Sequence, residues 1–368
     1  MAEPAIRVRP FVEEDIDPVA DLHRRVFRTG KGDAAPEREA YRSYFREVFL
    51  GNPWRDDALP SLVGEDAGGN IAGFLGVVPR RMSLHGRPIQ AALSSQFIVE
   101  PGGRSAVAAI ELIKTFVAGP QDLSLADEAT RTSRRLWERL GGATALLQSL
   151  YWGRVLRPCR FLVSRLEKAV PWGPLAALLR PVCWPADALT ARAPAFLLRR
   201  PMPEVEAEEL TPFALRECLE ESSRHRAVRP EYDEASLGWL LRLLGRRESA
   251  GAFQKVALRD AAGAPIGWYL YHARRGGVGE VLQVGGRPQA LRDVLEHLFH
   301  HAWRRGVAAL SGRIDASILQ DVLDASCVLH HRGYWMLAHS RNPELLQAVH
   351  SGEAFLTRLE GEWCMRFR

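Results

Sequence analysis

Ser94-Ser95-Gln96-Phe97-Ile98-Val99-Glu100-Pro101-Gly102-Gly103-Arg104 runs directly into an apolar helical stretch. The segment reads as a β-strand, a Pro/Gly turn and an arginine at the mouth of a helix. Such a turn leaves main-chain N–H groups unpaired and converging, and the positive end of the helix dipole points the same way. The natural ligand of that arrangement is a phosphate or pyrophosphate. Neither GxxxxGK[ST] nor GxGxxG is present, so the P-loop and dinucleotide fingerprints do not account for it.

Composition narrows the setting. A chain of 368 residues is long enough for two domains at roughly 150 residues each. The five cysteines, Cys159, Cys183, Cys218, Cys327 and Cys364, are odd in number and show no CxxC spacing. Reduced structural thiols in a cytoplasmic protein are therefore expected, and no metal site. The first residues, Met1 to Arg7, carry no apolar signal core, and no run is long enough to span a bilayer. The net charge of +5 is carried by arginine, with lysine only at 31, 114, 168 and 255. No dense basic tract interleaved with aromatics points to nucleic acid, whereas a phosphorylated or acidic ligand suits a mild positive charge.

Periodicity outlines the first half. Ile6 to Pro10 alternates as a strand, and Val19, Leu22 and Val26 recur at helical spacing, as do Tyr41, Phe45 and Val48. Ser61–Glu65 and Ile71–Val78 flank a Gly68-Gly69-Asn70 turn as a hairpin. A strand over about 89–99, a helix over 104–116, a strand over 123–126, a helix over 129–140 and a strand over 143–151 follow. This order, with an anion turn after the fourth strand, resembles the Gcn5-related N-acetyltransferases. Their motif V-x-P-x-x-R-G-x-G-x-A is matched at Val99, Pro101, Arg104 and Ala109, with Ser105 and Val107 where glycines are usual. A later motif, a polar turn and a helix ending L-Y-x-x-x-G-F, is matched at Leu136 and Gly141, with Trp137 in place of the tyrosine.

The resemblance implies an α/β fold in two tandem copies, each a mixed central sheet flanked by helices, and acyl-CoA (acetyl or longer) as co-substrate. The fourth and fifth strands would part to admit the pantetheine arm along Phe97, Ile98 and Val99. Gly102, Gly103, Arg104, Ser105, Ala106 and Val107 would cradle the pyrophosphate, with Thr132 and Trp137 completing the cofactor set. The transfer needs a base for the attacking ammonium and a proton for the departing thiolate. The candidates are Glu65, Ser95, Asp127 and Tyr151, because the indole of Trp137 is no acid; a solvated role stands as the alternative for each carboxylate.

The domains are expected at 1–156 and 204–368, joined by a Pro/Trp-rich apolar connector over 157–203. Trp172 and Trp184 lie in that connector, and 161–198 reads either as interdomain packing or as a peripheral contact with the inner membrane face. The order of elements repeats from 204: a strand, two helices, a hairpin around Asp260–Gly263, a strand over 279–284, a helix over 289–304, a strand over 310–314 and a helix ending at His331–Tyr334. Val284-Gly285-Gly286-Arg287-Pro288 lacks the P-x-x-R spacing, so this copy is expected to be structural. His297, His300 and His301 read as a solvated helix face. Leu359–Trp363 is expected to form the last turn and strand and to close the cleft between copies. The leading function is N-acyl transfer to a primary amine, including a lipid-like amine such as a sphingoid base. A degenerate acyl-CoA-binding module and a Fem-type aminoacyl transferase are the alternatives.

Overall fold

The computed structural model describes residues 6–27, 35–102, 105–169, 183, 185–187 and 205–367. Gly103 and Arg104 of the anion turn, and Trp172 and Trp184 of the connector, lie outside the described residues.

The first half lays down β1 (Arg7–Pro10), α1 (Ile16–Phe27), α2 (Ala35–Phe45), β2 (Leu62–Glu65), β3 (Ile71–Leu84), β4 (Arg87–Val99), α3 (Ser105–Val117), β5 (Leu123–Ala129), α4 (Arg131–Arg139), β6 (Ala143–Ala145) and β7 (Leu150–Val155). Helix α5 (Pro158–Ala169) leads into the connector. The second half repeats the series. It runs through β8 (Glu206–Glu209), α6 (Pro212–Ser223), β9 (Val228–Pro230), α7 (Glu234–Gly245), β10 (Ala252–Arg259), β11 (Pro265–Ala273) and β12 (Val278–Gly286). It continues with α8 (Leu291–Arg304), β13 (Ala309–Arg313), α9 (Leu319–Asp324), β14 (Val328–His331), β15 (Trp335–His339) and α10 (Pro343–Ser351). Local chemistry sets the boundaries: Thr130 accepts from Ser133 N–H to cap α4, and Thr211, ahead of Pro212, caps α6.

Two mixed sheets result, with the strand orders β1-β2-β3-β4-β5-β15-β6 and β8-β10-β11-β12-β13-β7-β14. They are the same architecture, with one exchange. The last strand of each half inserts into the sheet of the other half. Strand β15 pairs antiparallel with β5 and β6, while β7 pairs antiparallel with β13 and β14. The apolar faces follow the strands. Trp152 of β7 is fully buried in the core of the second sheet, and Leu337 of β15 in that of the first. A further cluster joins α1, α2, β3 and β4 to α6, α7 and residues 354–365.

Three local expectations are corrected. The stretch 143–151 is two short strands around a 3₁₀ turn at Leu147–Ser149, because β6 and β7 belong to different sheets. Val328–His331 is a strand rather than a helix end, since it closes the second sheet beside β7. Leu359–Trp363 is no strand: β15 already fills the place beside β5, so this segment packs as a buried loop entering a 3₁₀ turn at Glu362–Met365.

Buried ion pairs stitch the halves together. Asp127 of β5 meets Arg313 of β13, both almost wholly enclosed. Arg358, fully buried, reaches Glu128 of β5 at 3.1 Å and also pairs with Glu280 of β12. Arg332 holds the same Glu280 at 3.0 Å. Breaking one partner out of such a pair leaves an uncompensated buried charge, at a cost of about 3–5 kcal/mol.

The histidine helix face is also corrected. His297 is buried and accepts from Tyr269 O–H at 2.9 Å, and His301 accepts from Tyr271 O–H at 3.0 Å. Burial holds both imidazoles, and that of His272, near 4 against an ordinary 6.5. The unfolded chain binds those protons first as pH falls. Stability present above pH 6.5 should therefore drop steadily toward pH 4, by a few kcal/mol in sum on the order of the linkage relation. Urea titrations from pH 7.5 to 4 check this, and replacing His297 with Gln should flatten the slope.

Candidate functional site

Strands β4 and β5 run parallel and pair from Ala91↔Leu123 to Ser94↔Ala126, then stop pairing although both continue. The backbone supplies the reason. Gln96 and Glu128, each two residues past the last pair, both take positive φ, +53° each. Pairing with the outer neighbours slips at the same level: Gln96 and Phe97 of β4 oppose Leu75 of β3 alone, and Asp127 and Glu128 of β5 oppose Met336 of β15 alone. A bulge re-aims its strand, and two bulges facing each other turn the banks apart.

A cavity of about 410 Å³ fills the gap. Its wall draws on both sides of the sheet. Leu75, Ile113, Trp137 and Leu337 belong to the apolar layer beneath α3 and α4. His23 and Phe27 of α1, Tyr334, and Glu362, Arg366 and Phe367 of the C-terminal segment line the opposite side. Ser95, Gln96, Phe97, Asp127 and Glu128 stand on the banks.

The cofactor candidates divide by position. Phe97 and Trp137 line the cavity, and the indole N–H of Trp137 donates to Ala338 O of β15 at 3.2 Å. The replaced tyrosine position is thus a structural tie to the exchanged strand. Ile98 is buried behind the bank, and Val99 ends β4. Gly102 has φ +146°, a conformation that suits glycine, and α3 starts at Ser105 just beyond. Ala106 is exposed and Val107 half-buried on the first turn of α3, while Thr132 faces solvent on α4 and Ser133 faces the cavity instead.

The catalytic candidates divide as well. Ser95 lines the cavity, its Oγ buried without a hydrogen-bond partner among the described residues. Asp127 lines it too, but Oδ1 is committed to Arg313 and to the N–H of Glu128. Glu65 lies outside the cavity, where the Arg9 guanidinium donates to it at 2.7 Å and to Asp15 at 2.7 Å. Tyr151 is carried away by β7 into the second sheet and lies buried beneath the guanidinium of Arg332, 4.4 Å from its ring.

Two polar residues escape the sequence reading. Tyr41 O–H donates to His23 Nδ1 at 3.1 Å, and His23 Nε2–H donates to Gln96 Oε1 at 2.9 Å, so the ring reaches the bank from α1. Glu362 sits 266 residues from Gln96 in sequence, yet its Oε1 accepts the Gln96 N–H at 3.0 Å. Burial pushes its carboxyl up to about 8; the charges of Glu128 and Asp127 add to this, while the Gln96 N–H and Arg366 oppose it. In the sequence Glu362 is one of two acids in Leu359–Trp363, and nothing adjacent marks it out. Glycine at 361 is obligatory, because a Cβ there would come within 2.0 Å of Asp127 Oδ2. Gly361→Ala should disturb the Asp127–Arg313 pair and cost about 1–3 kcal/mol. A thermal melt lowered by several degrees is expected, and an unchanged melt would show that the segment shifts freely.

The chain matches no known sequence family and no curated protein. Solved structures do match. A GCN5-related N-acetyltransferase from Anabaena variabilis superposes with TM-score 0.57 at 13% identity, over 94% of this chain and 75% of that one. A probable N-acyltransferase from Enterococcus faecalis gives TM-score 0.57 at 12% identity, over 92% and 73%. The N-myristoyltransferase of Saccharomyces cerevisiae, solved with bound myristoyl-CoA, gives 0.51 at 10% identity, over 92% and 80%. The chain therefore has the fold of the GCN5-related N-acetyltransferases.

Proposed function

We propose that this protein is an acyl-CoA-dependent N-acyltransferase whose reaction takes place between β4 and β5. The observation that carries the reading is the cavity at the parting of these strands, lined from both sides of the sheet. Beyond Ser94 the β5-facing edge of β4 has no strand partner among the described residues. An extended pantetheine arm can add to that edge as a strand would, with main-chain groups supplying affinity. Gly102, just past the end of β4, and the start of α3 at Ser105 flank the place where the arm would end and suit a pyrophosphate. Arg104, between them in sequence, would be the charged contact. The neighbour solved with myristoyl-CoA supports the same co-substrate class.

The thioester would then lie within the cavity, and the acceptor would enter from the α1 side. That side combines carboxylates, Glu128 and Glu362, with the rings of Phe27, Tyr334 and Phe367. Acid beside aromatic surface suits a primary amine attached to an apolar group, including a sphingoid base. A site near a membrane surface fits this acceptor, and Leu162 and Leu166 of α5 are exposed at 60% and 40%. Residues 161–198 would supply that contact.

Replacing Arg104 with Ala should weaken acetyl-CoA binding by about 10- to 100-fold, the scale of a lost charge-assisted hydrogen bond, without lowering the melting temperature. Calorimetry on the folded variant checks this; unchanged affinity would move the phosphate site elsewhere.

A further inference from the structure

Acyl transfer from a thioester to an amine cannot begin while the nitrogen is an ammonium, so a group beside the thioester must take a proton. Three carboxylates line the cavity. Two of them are held in ion pairs. Asp127 is bound by the buried Arg313, and Glu128 by Arg358 and, at 3.2 Å, Arg366. A carboxylate held by a guanidinium is a poor base, because the pair stabilises its ionised form. Glu362 differs. Its contact with Gln96 N–H uses one oxygen and fixes the carboxyl against the bulge where the strands part. Among the described residues no ion pair engages it.

We propose that Glu362 is the catalytic base of the acyl transfer, and the carboxylate that receives the acceptor's ammonium. This assignment rests on the acyl-CoA reading of the cavity. In the step, one proton passes from the ammonium to the Glu362 carboxylate. The freed nitrogen lone pair forms the C–N bond at the thioester carbonyl, and the C–S bond breaks as the tetrahedral adduct collapses. A second nitrogen proton ends on the departing thiolate, leaving amide and free thiol, and Glu362 returns its proton to solvent.

The surroundings of Glu362 tune it for this. Asp127 and Glu128 of β5 face it with negative charge, and Tyr44 of α2, whose O–H donates to Met365 O, stands beside it as a half-buried neutral phenol. Arg366 lies on its own segment, Arg247 beyond α7 holds the adjacent Trp363 carbonyl, and His23 of α1 lines the same cavity. With burial dominant, the carboxyl titrates near 8. A base matched to neutral or mildly alkaline pH takes and releases protons efficiently. A bound ammonium replaces the missing cation and favours the ionised form.

The test uses the full-length protein, acetyl-CoA, and 2-phenylethylamine or sphinganine as probe amines, following free thiol. In the wild type, kcat/KM should rise with pH through about 8 as Glu362 ionises. Glu362→Gln should lower kcat/KM for the amine about 100-fold and remove that limb, with acetyl-CoA affinity unchanged. Its amide oxygen can still accept the Gln96 N–H, so the fold should hold. Glu362→Asp should recover part of the rate together with the limb. Wild-type rate and an intact limb in Glu362→Gln would overturn the assignment. Should neither amine turn over, calorimetry with 2-phenylethylamine decides. Binding about 10-fold weaker in Glu362→Gln supports the assignment, and equal affinity or no wild-type binding refutes it. Absence of acetyl-CoA binding to the wild type would instead sink the reading of function on which the assignment rests.

Discussion

Neither sheet of this protein is complete without a strand from the other half of the chain. The exchange of β7 and β15 is the constraint on which the rest depends. Strand β15 forms the outer neighbour of β5, so the geometry of one bank of the cavity is set by residues more than two hundred positions downstream. Trp137 ties α4 to that same strand. The segment after α10 also lines the cavity, through Glu362, Arg366 and Phe367. Loop closure over such separations is costly in entropy. Buried aromatic and aliphatic area on both exchanged strands offsets it.

The second consequence is electrostatic. Asp127 and Glu128 of β5 and Glu280 of β12 are largely withdrawn from solvent, where isolated carboxylates would be strongly desolvated. Arg313, Arg332 and Arg358 answer them. Burial alone would raise the Glu280 carboxyl, yet Arg358 and Arg332 outweigh it and hold it below its ordinary value. The network leaves Glu362 outside its compensation, and that exception gives the cavity a group able to exchange protons. Structure and chemistry here share one arrangement of charge.

What the sequence revealed and what it hid follow from the range of the interactions. The strand, Gly102 turn and α3 are local, so the stretch around Phe97–Val107 identified the fold. The repeat in the second half emerged from the same periodicities. Ser95, Phe97, Asp127 and Trp137 ride on those local motifs and do line the cavity. Tyr151 sits on a strand whose pattern is the same whether it stays home or crosses, and crossing removes it from the cavity. Glu65 looked available because nothing adjacent in sequence announces Arg9, which reaches it across the β1–β2 pairing. His23 and Glu362 arrive from opposite ends of the chain by tertiary packing, which periodicity does not encode.

The most direct test of the account is a crystal structure of the protein with acetyl-CoA. The pantetheine arm is expected along the open edge of β4 at residues 97–99, with the thioester in the cavity beside Gln96 and the pyrophosphate ahead of α3. Coenzyme bound instead against Gly285–Arg287 of the second half, with the cavity between β4 and β5 empty, would contradict it.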